Sequence, residues 1–445
     1  MYSNMNNCVF TICAKNYIGL AKILEKSLKQ YNPGCNFLIF VADEFDSNKD
    51  IKNLPDNVII ARNVLNMNIA KWDNLSFKYN LTEFCTAIKP YCFLYLFENT
   101  HYDTFIYLDP DIYFFNSLEP VYHALFTHSI VLTPHFLNID NGENIQDANL
   151  FTGIFNLGFL AIKKDGHSEK MMKWWSHQLY DKCFIDNLDG YFTDQKWMNF
   201  LPIFFDNNVL HIIRHKGLNV APWNYHEREI IIHGNDIFGV KYRGDGSSTV
   251  ENLIFVHYSG YDYTALKNGN VLNNNFPQLP NYKDIEQVIL VYSQAIIEYS
   301  EIFNTYISLP YKYNFFENGV PIDKFHRRLY RGLFTKNECI NNPYSTIKKD
   351  SFYHILKKSG MILKKRNKVS VEKISHGNIK SLGKKVCFIN CMFKIIFKII
   401  GYRNYQLLMR FFLRFSRFES QIFLVKNKYI SDSLFFSEQR HRSFE

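Results

Sequence analysis

The chain has 445 residues, 47% of them hydrophobic and 17% aromatic, which excludes a disordered or low-complexity protein and leaves room for two or three domains with a sizeable core. The net charge of +9 is divided unevenly: residues 341–445 carry 22 Lys and Arg against 6 Asp and Glu, and residues 1–340 carry 29 against 36. A mildly acidic body argues against a nucleic-acid-binding face there, whereas a strongly basic tail calls for an anionic partner such as a lipid surface.

Nine cysteines contain no Cys-x-x-Cys pair, and several stand inside apolar runs, so a reducing compartment is expected. The stretch Met1-Tyr-Ser-Asn-Met-Asn-Asn has neither a basic nor an apolar segment of the kind a signal peptide needs, and no run of 18 apolar residues predicts a transmembrane helix.

In chain order, Cys8–Cys13 reads as a buried strand. The helical spacing of Ile18, Leu20, Ala21, Leu24 and Leu28 follows it, ending near Asn32-Pro-Gly34. Phe37–Val41 and Val58–Ala61 are further strands, the first closing on Asp43 and Glu44, where an acid suits ribose or base contact or simply a solvated loop. Alternating strands and helices predict an α/β fold with a mostly parallel sheet. Leu81–Glu98 is helix-like, with Pro90 starting a new helix or kinking the old one.

Next comes Phe105-Ile-Tyr-Leu-Asp109-Pro-Asp111, an apolar strand delivering two carboxylates to its carboxyl end, where open α/β sheets place ligands. In extended geometry across Pro110 both side chains face one hard divalent cation; Asp-Pro-Asp is equally good turn chemistry. A polar loop over Asn138–Asn149 follows. The strand Phe155–Ile162 is interrupted by Gly158, which signals a bulge or a ligand close to the backbone. Its helix runs from about Ser168 to Tyr180. Thr193 is placed to cap a short helix that presents Asp194 and Gln195 at its N-terminus, stabilising the carboxylate by free amides. A last strand, Leu253–His257, delivers a histidine, with Gly260 shortly after it.

Asn16-Tyr17, Tyr107-Leu-Asp109-Pro-Asp111, Phe155-Asn-Leu-Gly158-Phe, Thr193-Asp194-Gln195 and His257-Tyr-Ser-Gly260, in this order, resemble nucleotide-sugar glycosyltransferases of the GT-A fold. The likeness is nearest to family 8 and its bacterial polysaccharide relatives, and it spans about residues 8–265. It implies that Asp109, Asp111 and His257 hold Mn²⁺ or Mg²⁺ on a donor diphosphate, with the nitrogen favouring Mn²⁺. It further implies that Thr11, Ala14 and Tyr17 cradle the base, and that Lys89 contacts donor or carboxylate. Asn156 and Gly158 then border the donor sugar, and Asp194 and Gln195 bind its hydroxyls near the reacting carbon. If the reaction inverts, Asp194 is the candidate base; if it retains, Asp194 and Gln195 orient the sugar. The family usually carries a phosphate-binding lysine three residues after the glycine of the last motif. Here that position is Tyr263 and the next lysine is Lys267, so phosphate binding falls to the Gly260 backbone, Lys267 or another cation.

Beyond this, Ile285–Phe303 reads as an amphipathic helix, and His326 with Arg327, Arg328 and Arg331 forms either a phosphate-binding group or a basic surface patch. A linker begins near Thr335 and includes the basic run Lys364–Lys368. Val386–Ile400, with Lys394 and Lys398, and Leu407–Phe418, with Arg410, Arg414 and Arg417, each put a basic stripe on an aromatic helix, as in a segment lying in a membrane interface or in a pair of helices packing on the catalytic domain. The expected organisation is a GT-A catalytic domain over 1–280, a helical extension over 281–334 and a basic tail over 335–445. The expected protein is a metal-dependent hexosyltransferase taking a nucleotide sugar, a UDP-sugar foremost, to a glycan or lipid-linked acceptor. It works in the cytoplasm, peripherally on the inner membrane face, with no nucleic-acid partner. The alternatives are an inactive nucleotide-sugar or glycan binding module of the same fold, and a nucleotidyltransferase. The latter lacks its Gly-rich basic loop, since Cys13-Ala-Lys-Asn-Tyr17 is not one.

Overall fold

The computed structural model describes residues 6–45, 54–139, 145–233, 237–246, 248–276, 282–334, 342–362 and 380–425. The strands are β1 (Asn7–Cys13), β2 (Asn36–Val41), β3 (Val58–Ile60), β4 (Thr104–Leu108), β5 (Ile112–Phe114), β6 (Ile130–Leu132), β7 (Phe159–Lys163), β8 (Ile185–Asp186), β9 (Tyr191–Phe192), β10 (Leu210–Ile212), β11 (Arg228–His233), β12 (Ile237–Tyr242), β13 (Glu251–Asn252) and β14 (Phe255–His257). Among the described residues, seven of them form the central sheet in the order β10-β6-β7-β4-β1-β2-β3. Every pairing in it is parallel except those of β7 with β4 and β6. The α/β class expected from the sequence, with flanking helices and a basic helical C-terminal extension, is the one observed.

Strand periodicity divides the side chains of β4 between the two faces of the sheet. Ile106 and Leu108 join a cluster with Val9, Ile39, Phe159 and residues of the helix Ile18–Tyr31. Tyr107, on the opposite face, meets Phe10 edge to face at 5.5 Å, and Phe10 meets Phe93 at 4.7 Å. Because Phe93 belongs to the helix Lys89–Asn99, that face is the one along which Lys89 reaches the end of β4. Pro90 starts this helix after a break from Leu81–Ala87, as its missing N–H permits.

The described chain divides into two compact units, one of residues 1–68 and 81–312, the other of residues 69–80 and 313–445. In the second, the helix Ile69–Lys78 is held by Arg327 of the helix Lys324–Phe334. The buried guanidinium donates to the carbonyls of Ser76, Phe77, Tyr79 and Tyr313 at 2.7–3.1 Å. His326, Arg327 and Arg328 are all buried, so these three are packing groups rather than a surface patch. Residues 335–341 and the run Lys364–Lys368 lie outside the described residues, as do residues 140–144 of the polar loop. The basic tail forms two helices within Leu382–Phe415, as expected from the sequence, separated by a kink at Gly401 (φ 75°, ψ 170°). Among the described residues no helix is long and apolar enough to cross a membrane.

Candidate functional site

The two aspartates stand where β4 leaves the sheet. Asp109 is tied back by its N–H to the Gly158 carbonyl at 2.8 Å, and the chain then turns through Pro110 into β5. β5 pairs antiparallel with β14, setting His257 opposite Ile112, and the Tyr258 N–H donates to the Asp111 carbonyl at 2.9 Å. This pairing folds a histidine from the far end of the unit onto the acidic pair. The His257 Nε2 lies 3.2 Å from Asp111 Oδ1 and 3.6 Å from Asp109 Oδ2. One ligand atom from each of the three lies within 4.8 Å of the others. Two carboxylate oxygens and one imidazole nitrogen in that span suit a divalent first-row ion.

The surroundings fix each group. The Tyr107 hydroxyl donates to Asp109 Oδ1 at 2.6 Å, and the Tyr263 hydroxyl lies 2.8 Å from Asp111 Oδ2. Burial pushes the Asp109 carboxyl above its ordinary value, against the pull of Lys89 and His257. Burial acts the same way on Asp111, but the charge and hydrogen bond of His257, with that of Tyr263, hold it below the ordinary value. For His257 burial works against protonation, yet Asp111 and then Asp109 raise its pKa. The cluster is thus a strongly coupled charge centre.

A second polar group adjoins it. Lys89 Nζ, almost fully buried, donates to Asp194 Oδ2 at 2.6 Å and to the Leu157 carbonyl at 2.8 Å, and sits 4.0 Å from the Tyr107 ring centroid. Asp194 precedes the short helix Gln195–Phe200 but its carboxylate does not cap it, and Thr193 has a left-handed φ of 44° instead of capping geometry. The ion partner of this carboxylate is therefore Lys89 and not the helix amides. Gln195 Nε2 donates to the Thr152 carbonyl at 2.9 Å.

Asn156 and Gly158 stand against the histidine. A Cβ at Gly158 would lie 2.4 Å from His257 Cε1 and 2.8 Å from Asn156 Oδ1, so only glycine lets the imidazole seat there. Asn156 Oδ1 accepts from the Gly158 N–H and from Asn219 Nδ2, both at 3.1 Å. From the end of β1, Ala14 accepts the Tyr17 N–H at 3.0 Å, and the Tyr17 ring meets Tyr263 edge on at 5.8 Å. Burial and then Asp111 push the Tyr17 phenol up to about 12. Thr11 lies further back on β1, fully buried, its hydroxyl without a hydrogen-bond partner among the described residues. Gly260 takes φ 78° in the turn after β14. Lys267 donates to Asn304 at 2.8 Å rather than to the acidic pair.

Tyr263, Asn219, Trp223 and His135 are parts of the site with no separate sequence signal. Trp223 meets the His257 ring edge on at 5.1 Å, and His135 meets Trp223 at 5.6 Å. Tyr263 was visible only as the residue in place of a lysine.

No family model matches the chain. It is 25% identical over 272 residues to the uncharacterized protein YfnF of Bacillus subtilis (strain 168), covering 59% of this chain and 84% of that one. It is 25% identical over 194 residues to the uncharacterized protein YfnD of the same organism, covering 42% and 57%. Among solved structures it is similar to the galactosyltransferase LgtC in complex with donor and acceptor sugar analogs (16% identity, TM-score 0.37), covering 68% of this chain and 97% of that one. It is also similar to the glycosyltransferase GlyE of Streptococcus pneumoniae TIGR4, with 15% identity, a TM-score of 0.36 and coverage of 71% and 67%. The functional reading rests on the geometry of the site.

Proposed function

We propose that this chain is a metal-dependent glycosyltransferase that moves a hexose from a nucleotide sugar, with UDP as the carrier, to a polysaccharide or lipid-linked glycan acceptor at the cytoplasmic face of the membrane. The observation that carries this reading is the convergence of Asp109, Asp111 and His257 at the carboxyl end of β4 in a mostly parallel sheet. A Mn²⁺ or Mg²⁺ ion held by these three groups supplies Lewis-acid neutralisation of the departing diphosphate.

The chain's own groups do the rest. The end of β1, with Thr11, Ala14 and Tyr17, receives the base, and the backbone at Gly260 receives phosphate oxygens. Asn156 and the Gly158 backbone border the sugar, the carboxamide being fixed beforehand by its bonds to Gly158 and Asn219. Asp194 and Gln195 bind sugar hydroxyls beside the reacting carbon. Lys89 keeps the Asp194 carboxylate oriented and charge-balanced in a buried setting, which suits a group that positions the sugar. The basic tail brings the enzyme to an anionic membrane surface.

The test is donor hydrolysis by the purified chain across a panel of nucleotide sugars, with Mn²⁺ and with chelator. Turnover of one donor that chelator abolishes is the expected result. Chelator-insensitive turnover overturns the metal reading, and donor binding without turnover makes the protein a binding module.

A further inference from the structure

The basic tail, taken from the sequence, is two separate amphipathic helices; its folded arrangement says more. The element Leu382–Phe415 breaks at Gly401, whose φ of 75° and ψ of 170° lie outside the helical region and suit only glycine. The two arms fold back on each other. Phe393 meets Tyr405 at 6.4 Å and Phe412 at 6.1 Å, and Phe397 meets Tyr405 at 5.3 Å, giving an aromatic seam between the arms. The hairpin is latched at its base. Past its second arm, the turn Phe418–Leu424 packs on the helix Lys324–Phe334: Arg331 reaches Glu419 at 2.7 Å, Ile422 is buried, and Phe418 stacks edge on to Phe325 at 4.6 Å.

Outside the seam the hairpin is both apolar and bare. Phe388 is 71% exposed, Ile395 59%, Ile399 76% and Leu413 57%. Residues 380–418 contain nine Lys or Arg and no Asp or Glu. An exposed apolar surface of this kind needs a cover, and a cover that also suits so basic a stretch of chain carries negative charge. Anionic lipid meets both demands.

We infer that residues 382–415 bind an anionic bilayer as one folded two-helix hairpin, lying flat in the boundary between headgroups and acyl chains rather than entering tip first. This rests on the membrane reading given above and specifies its mode. The placement of charge decides for the flat orientation. Lys394 and Arg410 stand midway along their arms, and Lys398 and Arg403 flank the Gly401 bend. Tip-first entry buries all four in hydrocarbon, whereas in the interface each stays among lipid phosphates while Phe388, Ile395 and Ile399 enter the acyl layer.

The experiment is flotation of the full chain with neutral phosphatidylcholine vesicles and with vesicles containing phosphatidylglycerol. It is run on a Cys339→Ser, Cys387→Ser, Cys391→Ser background carrying Phe397→Cys with Tyr405→Cys, whose disulfide locks the two arms together. Locked and reduced forms are expected to float equally, within about twofold, on anionic vesicles only. Lys394→Gln with Lys398→Gln is expected to weaken binding on the order of 10-fold, and Phe388→Asp with Ile395→Asp by at least as much. Flotation of the reduced but not the locked form, or failure of the pair to cross-link under oxidant, overturns the hairpin while the membrane reading stands. No flotation of either form overturns both. Equal binding to neutral vesicles removes the anionic partner. A dimer in sedimentation that the aspartate pair dissolves, without flotation, assigns the surface to a second copy of the chain.

Discussion

At Asp109-Pro-Asp111 turn geometry and convergence of the two carboxylates occur together. The tripeptide is a turn, and its two carboxylates nevertheless converge on His257, because the turn leads into β5 and β5 pairs with the strand that carries the histidine. Asp111 has the closer imidazole contact and an additional hydroxyl from Tyr263. Asp111→Asn is therefore expected to lower Mn²⁺ affinity about 100-fold or more by calorimetry, with the fold intact by circular dichroism. Unchanged affinity sinks the ligand assignment. His135 provides a stability test at the same scale. Burial lowers its pKa from the ordinary 6.5 to about 4, so the fold holds the neutral ring. Its contribution is complete above pH 6.5 and is lost as pH falls from there to 4, because the unfolded chain binds the extra proton; the difference is about 3 kcal/mol. Urea midpoints followed from pH 7 to 4 are expected to fall less steeply in His135→Gln than in the native chain, and identical slopes disprove the assignment.

Among the elements, the stretch leading into β7 and the loop 216–224 hold the site in register. Gly158 was legible as a position where something approaches the backbone, and that something is the imidazole of the protein's own His257. Gly158→Ala is expected to displace the ring, costing about 1–3 kcal/mol of stability together with metal affinity, read by thermal melting and calorimetry in parallel. The loop is anchored by a pair the sequence does not announce. Arg228, fully buried, donates to the carbonyls of Lys216 and Leu218 and to Glu227, while Glu227 accepts the N–H groups of Leu137 and Asn138. The loop in turn supplies the Val220 carbonyl to the His257 N–H at 2.8 Å and Asn219 to Asn156. Arg228→Met leaves Glu227 buried without its cation and is expected to cost about 3–5 kcal/mol in denaturant unfolding. A loss under 1 kcal/mol would show that the pair does not anchor the loop.

Over the whole molecule, charge and packing are apportioned by unit. The candidate metal ligands lie in the first unit, and the carbonyl-solvated Arg327 and the basic hairpin lie in the second. Arg327→Met strips the carbonyls of Ser76, Phe77, Tyr79 and Tyr313 of their shared donor. Each unsatisfied group costs about 1 kcal/mol or more. Unfolding of the second unit, followed by limited proteolysis, is expected at lower denaturant with Mn²⁺ affinity unchanged; an equal loss of affinity contradicts this division of roles.

Composition and periodicity alone specified the α/β alternation, the strand bearing Asp109, the break at Pro90 and the strongly basic tail. These follow from local rules: apolar spacing, a missing N–H and net charge act within a few residues and leave their mark in the chain. Resemblance added His257 and Lys89 to the site, but their positions depend on the pairing of β5 with β14 and on which face of β4 the helix Lys89–Asn99 covers. Tyr263 on Asp111, Lys89 on Asp194, and the fold-back of the tail at Gly401 are contacts between residues remote in sequence or across a bend. They became visible only when strand register and helix packing brought those side chains within hydrogen-bonding or ring-contact distance.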